Sequence, residues 1–551
     1  LVLIGGAAVL VVHGAQQMAL PLADLHTVPV VLDPARLPEY ALRTTLRMFA
    51  AILASLVFTL VVATVAAKSR KAELVIVPML DILQSVPVLG FLAFTATFFM
   101  GLFPTRELGV ELASIFAVFT AQAWNMTFSF YQSLRTLPGD LNEVSRQFNL
   151  SPWRRFIRFE LPFATPALVW NTMMSMSAGW FFVVASEAIT VGKTTATLPG
   201  IGSWIALAID RRNFAAVAWA VGAMAVVIVL YDQFLFRPVV AWADKFRFEQ
   251  TASQQQPRSW FFEVLRRTRL FRRIASPFGR TLARLPRPAL PRLALPKLGS
   301  AGTGRWFDRL WVAAVSAAAA WAAWTIFRYI AAALTIGDAV TALGLGLITL
   351  TRVLVLIVVA SAIWVPVGVW IGLRPAWSQR IQPVAQFLAA FPANVLFPIA
   401  VVAIIAWRLN PNVWLSPLII LGAQWYILFN VVAGASALPG DLKEAAGVFH
   451  LRSWQRWRDF ILPGIFPYYV TGALTASGGS WNASIVAEAV SWGHTRLEAT
   501  GLGAFIAKAT AAGDYRRVAL GISVMSLFVI VLNRLLWRPL YAYAEKHFRL
   551  D

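Results

Sequence analysis

The sequence has no cysteine and only five histidines, so disulfides, thiol chemistry and a His/Cys cluster of metal-site spacing are excluded. Charge is scarce too. Only 13% of the 551 side chains are Asp, Glu, Lys or Arg while 58% are hydrophobic, a balance no ordinary soluble domain carries. The alternating segments of about ten residues that a transmembrane barrel needs are also missing. No complete phosphate-binding loop occurs. Gly192 to Thr194 reads GKT, but Glu187 stands where the first glycine of such a loop belongs.

What is present is a series of long apolar runs. Phe49 to Ala67, Ala215 to Phe236, Leu310 to Phe327, Val353 to Leu373 and Val518 to Leu536 each have about 20 residues, enough to cross the hydrocarbon core as helix. Further spans are expected near Pro78 to Gly101, Leu108 to Ser133 and Phe163 to Ala188, with counterparts downstream. Leu1 to Leu20 is read as a shortened first helix, because it lacks a basic head and a small-residue cleavage pattern. The expected fold is an all-α membrane protein with about twelve transmembrane helices in two homologous six-helix halves. With a cytoplasmic N-terminus, the cytoplasmic loops hold 33 of the 48 Lys and Arg residues, as the positive-inside rule requires. The net charge of +22 then reports topology in a lipid bilayer and implies no nucleic-acid partner.

The halves repeat each other. LPGDL at Leu137 to Leu141 returns at Leu438 to Leu442, Glu143 at Glu444, Trp180 at Trp481, Glu187 at Glu488 and Arg237-Pro238 at Arg538-Pro539, all 301 positions apart. Arg47, Pro78 and Pro87 return 305 positions later as Arg352, Pro383 and Pro392, so the second half is four residues shorter in between. The domains are expected at 1–248, 249–305 and 306–551, the middle one a basic, proline-rich cytoplasmic linker. Its stretch Trp260 to Arg273 has the makings of an amphipathic helix on the inner leaflet.

Between the fourth and fifth spans of each half, a Pro-Gly-Asp turn opens a short helix with Asp as a cap. It presents Leu141, Val144 and Phe148 in one copy and Leu442, Ala445 and Phe449 in the other, an apolar stripe that calls for a partner. Asn149 and His450 end the two helices. Both residue types tolerate a left-handed turn. A second amphipathic helix, Trp153 to Glu160 or Trp454 to Phe460, leads to Leu161-Pro162 or Leu462-Pro463.

This loop resembles the EAA loop of permeases in binding-protein-dependent ABC importers, with its Glu-Ala-Ala, a glycine and a closing Leu-Pro. Glu444, Ala445, Ala446, Leu462 and Pro463 match in register; His450 replaces the glycine. The first copy keeps Glu143, Leu161 and Pro162 but has Val144, Ser145 and Asn149 instead of the usual residues. Trp481, Ala487-Glu488 and Gly501 to Ile506 are similar to the signature of the nitrate, taurine and sulfonate branch. The resemblance implies a type I permease of the bacterial cytoplasmic membrane, with two domains fused in tandem. It further implies two ABC ATPase subunits docking on these loops, a periplasmic or extracytoplasmic solute-binding protein, and a small anionic or zwitterionic solute. The chain itself is then no enzyme and has no catalytic or metal-ligating residue and no cofactor of its own, since ATP and Mg are bound by the partners.

Polar side chains in the spans are the candidates for a gate or substrate path. They are Gln84, Ser85, Asn125, Glu187, Gln386, Asn394, Gln424 and Glu488. Arg47 and Arg352 are expected to snorkel to the outer interface. Prolines 87, 392 and 398 are expected to interrupt the third spans. A secondary transporter of the major-facilitator type is the alternative, but its Gly and Asp-Arg rich signature is replaced here by KSRKAELVIV and RPAWSQRIQP.

Overall fold

A computed structural model describes residues 30–85, 88–103, 107–137, 143, 147–148, 150–191, 194–246, 260–267, 304–438, 440–450 and 453–547. The expected first helix at Leu1 to Leu20 and most of the linker lie outside these residues. The first half comprises α1 (Leu37–Lys68), α2 (Arg70–Ser85), α3 (Val88–Leu102), α4 (Leu108–Arg135), α5 (Leu161–Ser186), α6 (Ile201–Asp210) and α7 (Phe214–Tyr231). The second comprises α8 (Gly304–Ala331), α9 (Ile336–Gly372), α10 (Pro375–Ala390), α11 (Phe397–Ala406), α12 (Gln424–Ala437), α13 (Gly440–Val448), α14 (Leu462–Ala487), α15 (Leu502–Ala512) and α16 (Tyr515–Leu532). Among the described residues, five helices are long and apolar enough to cross a membrane, or seven if two bent pairs each count as one span.

Burial along α1 shows why these helices associate. Leu53, Val57, Val61 and Val65 form an exposed stripe, while Ala51, Ser55, Thr59, Ala63 and Ala66 are buried on the other side. The large apolar side chains face outward, as lipid requires, and the small and polar ones let α4 come close. Thr59 and Thr127 hydroxyls meet there at 3.1 Å. The second half repeats the device with glycine. A Cβ on Gly372 of α9 would stand 2.7 Å from that of Ala435 on α12, so the contact depends on its absence.

The breaks have identifiable causes. The third span expected at Pro78 to Gly101 is divided between α2 and α3, and its copy bends by 80° between Ala390 and Ala393. Pro392, extended at ψ 110°, causes that bend, whereas Pro398 sits in the first turn of α11 where no intrahelical N–H is needed. The second-half fourth span is also bent, by 43°, while α4 is continuous. The amphipathic helices expected before α5 and α14 are not separate elements. Each runs into its span through a π-helical turn, Phe156–Glu160 or Trp457–Ile461. The wider turn comes directly before Leu-Pro, where an ordinary α-turn would leave the proline ring against a carbonyl.

After α5 and α14 the chain forms two short antiparallel hairpins, β1 (Ala188–Val191) with β2 (Thr194–Thr197) and β3 (Ala489–Trp492) with β4 (Thr495–Glu498). The apolar pattern of the sequence gives no sign of these hairpins. Gly192 and Lys193 of the GKT stretch lie outside the described residues, and Thr194 opens β2. The halves brace each other reciprocally: Val88 N–H at the start of α3 donates to Asn482 Oδ1 on α14 at 2.7 Å, and Asn394 Nδ2 donates to the Phe181 carbonyl on α5 at 3.1 Å. Phe181 and Asn482 are repeat equivalents.

Candidate functional site

Each half has a buried carboxylate where its fifth span ends. Glu187 Oε1 accepts from Arg47 Nη1 at 2.7 Å, and Oε2 accepts from Gly202 N–H at 2.7 Å. In the copy, Glu488 Oε1 accepts from Arg352 Nη1 and Thr349 Oγ1 at 2.7 and 2.9 Å, and Oε2 accepts from Gly503 and Ala504 N–H at 2.8 and 3.2 Å. Each carboxylate thus caps the first turn of α6 or α15, whose N–H groups have no intrahelical partner and favour negative charge. Gly200 and Gly501 are required by close approach, because a Cβ on either would overlap the glutamate carboxylate.

Arg47 does not snorkel. Arg47 is fully buried and makes a two-pronged contact with Glu111, Nε to Oε2 and Nη2 to Oε1, both at 2.6 Å. Burial in protein leaves an arginine no route to water, so it keeps its charge by holding two carboxylates. Among the described residues Arg352 has no second acid. Its Nη2 instead donates to the carbonyls of Thr500 and Asn412 at 3.2 and 3.4 Å, and its side chain is 10% exposed. Glu111 was absent from the sequence candidates. Its signal was an acid in the first turn of an otherwise apolar span, which calls for a cation nearby. Glu107, just before α4, has its carboxyl raised by burial and by neighbouring Glu111, against the lowering effect of Arg43 and Arg47.

Between the halves lies a cavity of about 240 Å³, lined by Met174, Ser177, Asp232 and Arg237 from the first half and by Gln386 and Phe429 from the second. Asp232 pairs with Arg237 at 2.9 Å at its edge, in a π-helical turn that ends α7. A narrower space of about 70 Å³ shares Ser177 and Phe429 and continues to Tyr426 and Asn482. Of the predicted path residues, Gln386 lines the wider cavity. Asn125 is tied to Asn171 and Ser175, and Gln424 accepts from Trp364 Nε1 at 2.9 Å. Asn394 holds the two halves together through Phe181. Gln84 and Ser85 end α2, and their side chains lie outside the described residues.

The residues predicted to couple to an ATPase are best seen in the second half. α13 leaves Leu442, Val448 and Phe449 exposed, Phe449 at 75%, and buries Ala446. Glu444 is exposed and Ala445 half-buried. His450 takes a left-handed turn at φ 49° and ends the helix. Leu462 and Pro463 open α14 as Leu161 and Pro162 open α5. In the first half Glu143 and Phe148 are exposed, while Leu141, Val144 and Asn149 lie outside the described residues.

Comparison with known proteins agrees with the repeat. A nitrate import permease protein of Leptolyngbya laminosa is 29% identical over 187 residues, covering 34% of this chain and 63% of its own length. A bicarbonate transport system permease protein of Synechococcus elongatus is 30% identical over 186 residues, covering 34% of this chain and 64% of its own. The glycine betaine/proline betaine transport system permease protein of Escherichia coli is 28% identical over 166 residues, 30% of this chain and 42% of its own. The matches thus span less than two thirds of the length of these relatives. Residues 55–237 and 364–537 each match one family, together more than half of the chain. This multi-pass membrane chain therefore belongs, twice over, to the family described as the binding-protein-dependent transport system inner membrane component.

Proposed function

We propose that the chain is the translocation subunit of an ATP-driven importer, giving alternating access to a small anionic or zwitterionic solute delivered by a binding protein. The observation that carries this reading is the cavity between the halves, lined from both sides by Ser177, Gln386 and the Asp232–Arg237 pair. At about 240 Å³ it is smaller than the roughly 300–1,000 Å³ of sites for drug-sized ligands, and suits an ion or small zwitterion. Relatives named for nitrate and bicarbonate support the anion class. The halves are 1–248 and 306–551, joined by the linker 249–305, with the N-terminus cytoplasmic. In that orientation the cavity edge at Arg237 and the α13 loop face the cytoplasm, and the hairpins face outward.

ATP and Mg are bound by two ATPase subunits, which dock on Leu141 to Asn149 and Leu442 to His450. The exposed apolar end of α13 fits a groove on such a partner, and motion passes through Leu161-Pro162 and Leu462-Pro463 into the fifth spans. Native mass spectrometry of the complex is expected to give one chain with two ATPase subunits. Proteoliposomes with the partner subunits are expected to take up nitrate, bicarbonate or taurine. Uptake of a cationic control alone overturns the solute class, and a 2:2 complex overturns the single path between fused halves.

A further inference from the structure

The two halves meet where the second-half hairpin touches the end of α6. The turn after α6 and the turn after α15 close in the same way. Asn213 N–H donates to the Ala208 carbonyl at 2.8 Å and Asp514 N–H to that of Ala509 at 2.9 Å. Both need a left-handed residue. The second half uses Gly513, at φ 70°, but the equivalent residue in the first half is Arg212, at φ 51°. An arginine in this conformation is disfavoured where the copy has the residue that adopts it freely. Such an outlier persists when it does something for the molecule.

Arg212 reaches the other half. Its side chain lies across Gly493 in the turn between β3 and β4, so closely that a Cβ there would overlap the guanidinium stem. Nη2 donates to Thr495 Oγ1 at 3.3 Å. Beside it, Gly493 N–H donates at 2.9 Å to the Ile209 carbonyl, the same oxygen that accepts from Arg212 N–H at 3.1 Å. Phe214 packs edge-on against the largely buried Trp492, their ring centroids 5.7 Å apart. Backbone, guanidinium and aromatic contacts thus join the second-half hairpin to the end of α6. Gly513 has no side chain with which to make the reciprocal grip.

We propose that Arg212 is a gating residue, a latch that holds the second-half hairpin over the outer mouth and biases the chain toward its outward-closed state. The proposal rests on the transport reading above for the word outer and for the consequence on turnover. The contact itself stands on the geometry. A guanidinium on one side and a bare glycine on the other make the two edges of the mouth unequal. A ligand or partner can shift such an equilibrium only through a difference between its two states, and Arg212 supplies one.

The test uses the full chain in lipid nanodiscs. Because it has no cysteine, R211C/H494C provides a clean pair of spin-label sites, both exposed and flanking the contact without forming it. Arg212→Gly, which copies the turn at Gly513 and so keeps the backbone conformation, is added to that pair. The parent pair is expected to give one short-distance population, and R212G a second, longer one. Assembled with its ATPases, R212G is expected to hydrolyse ATP without solute about three to ten times faster than the parent, since the outward-closed state is no longer favoured. Arg212→Lys keeps the charge but not the reach and should fall between. An unchanged single short distance in R212G, or an unchanged solute-free rate, overturns the latch. A parent complex that takes up no solute overturns the transport reading instead, and the distance measurement still decides on Arg212.

Discussion

Arg47 and Glu187 are 140 positions apart in sequence, yet Nη1 donates to Oε1 at 2.7 Å with both side chains completely buried. The contact ties the second span to the end of the fifth and, through Gly202, to the first turn of α6. Removing one member of such a pair leaves a charge buried without its partner, at a cost of about 3–5 kcal/mol. Arg47→Ala is therefore expected to lower the thermal unfolding midpoint in detergent sharply, because it strands both Glu111 and Glu187. Arg352→Ala should lower it less, because it strands only Glu488, which keeps Thr349 Oγ1 and the Gly503 and Ala504 N–H groups. Equal losses would mean that Glu111 contributes nothing to the difference.

Gly501→Ala places a methyl group where the Glu488 carboxylate lies, and the carboxylate must give up its bonds to Gly503 and Ala504. Overpacking of this kind costs about 1–3 kcal/mol. Gly478→Ala on α14 is the control, with nothing within 4 Å of the new carbon. Thermal unfolding of the two variants should separate them, the second being as stable as the parent or slightly more so. If both unfold alike, the carboxylate cap is not what excludes a side chain at Gly501.

Glu444→Lys reverses a charge on exposed α13, next to the apolar end formed by Leu442, Val448 and Phe449. It is expected to uncouple ATP hydrolysis from uptake at least tenfold, and more severely than Glu143→Lys in the loop with the poorer Glu-Ala-Ala match. The ratio of ATP hydrolysed to solute taken up, measured in proteoliposomes, reads this directly. Equal ratios in the two variants would remove the asymmetry between the loops.

Ser177→Phe fills space shared by the two cavities between the halves. Uptake should fall more than tenfold while the complex with the ATPases still assembles, as judged by native mass spectrometry. Uptake at the parent rate would place the path elsewhere.

The repeat offset alone predicted that Glu187 and Glu488 occupy equivalent positions, and the Leu-Pro pairs marked the starts of α5 and α14. What it could not show is the partner of a charge. Arg47 and Arg352 read alike in sequence, each near the start of an apolar run, and only packing decides that one is sealed between two acids while the other meets one acid and two carbonyls. Glu111 sits on a different span from either, so its place in an apolar span calls for a cation without telling which one. The hairpins escaped for a different reason. Four-residue strands are too short for alternation to stand out, and the glycine of each turn resembles that of any loop. The π-helical turns before Pro162 and Pro463 follow from ring sterics, which the hydrophobic pattern does not record.

The arginine at position 212 has a consequence for symmetry. Two identical subunits meeting about a twofold axis must present every residue of their contact twice, so a side chain that improves one edge is imposed on the other. A covalent tether removes that requirement, since each half is encoded separately and Arg212 can face Gly493 while Gly513 stays bare. The same freedom lets Glu111 hold Arg47 while Arg352 meets the Asn412 carbonyl. In this chain the tether allows the two sides of one opening to be tuned independently, which a pair of identical subunits cannot do.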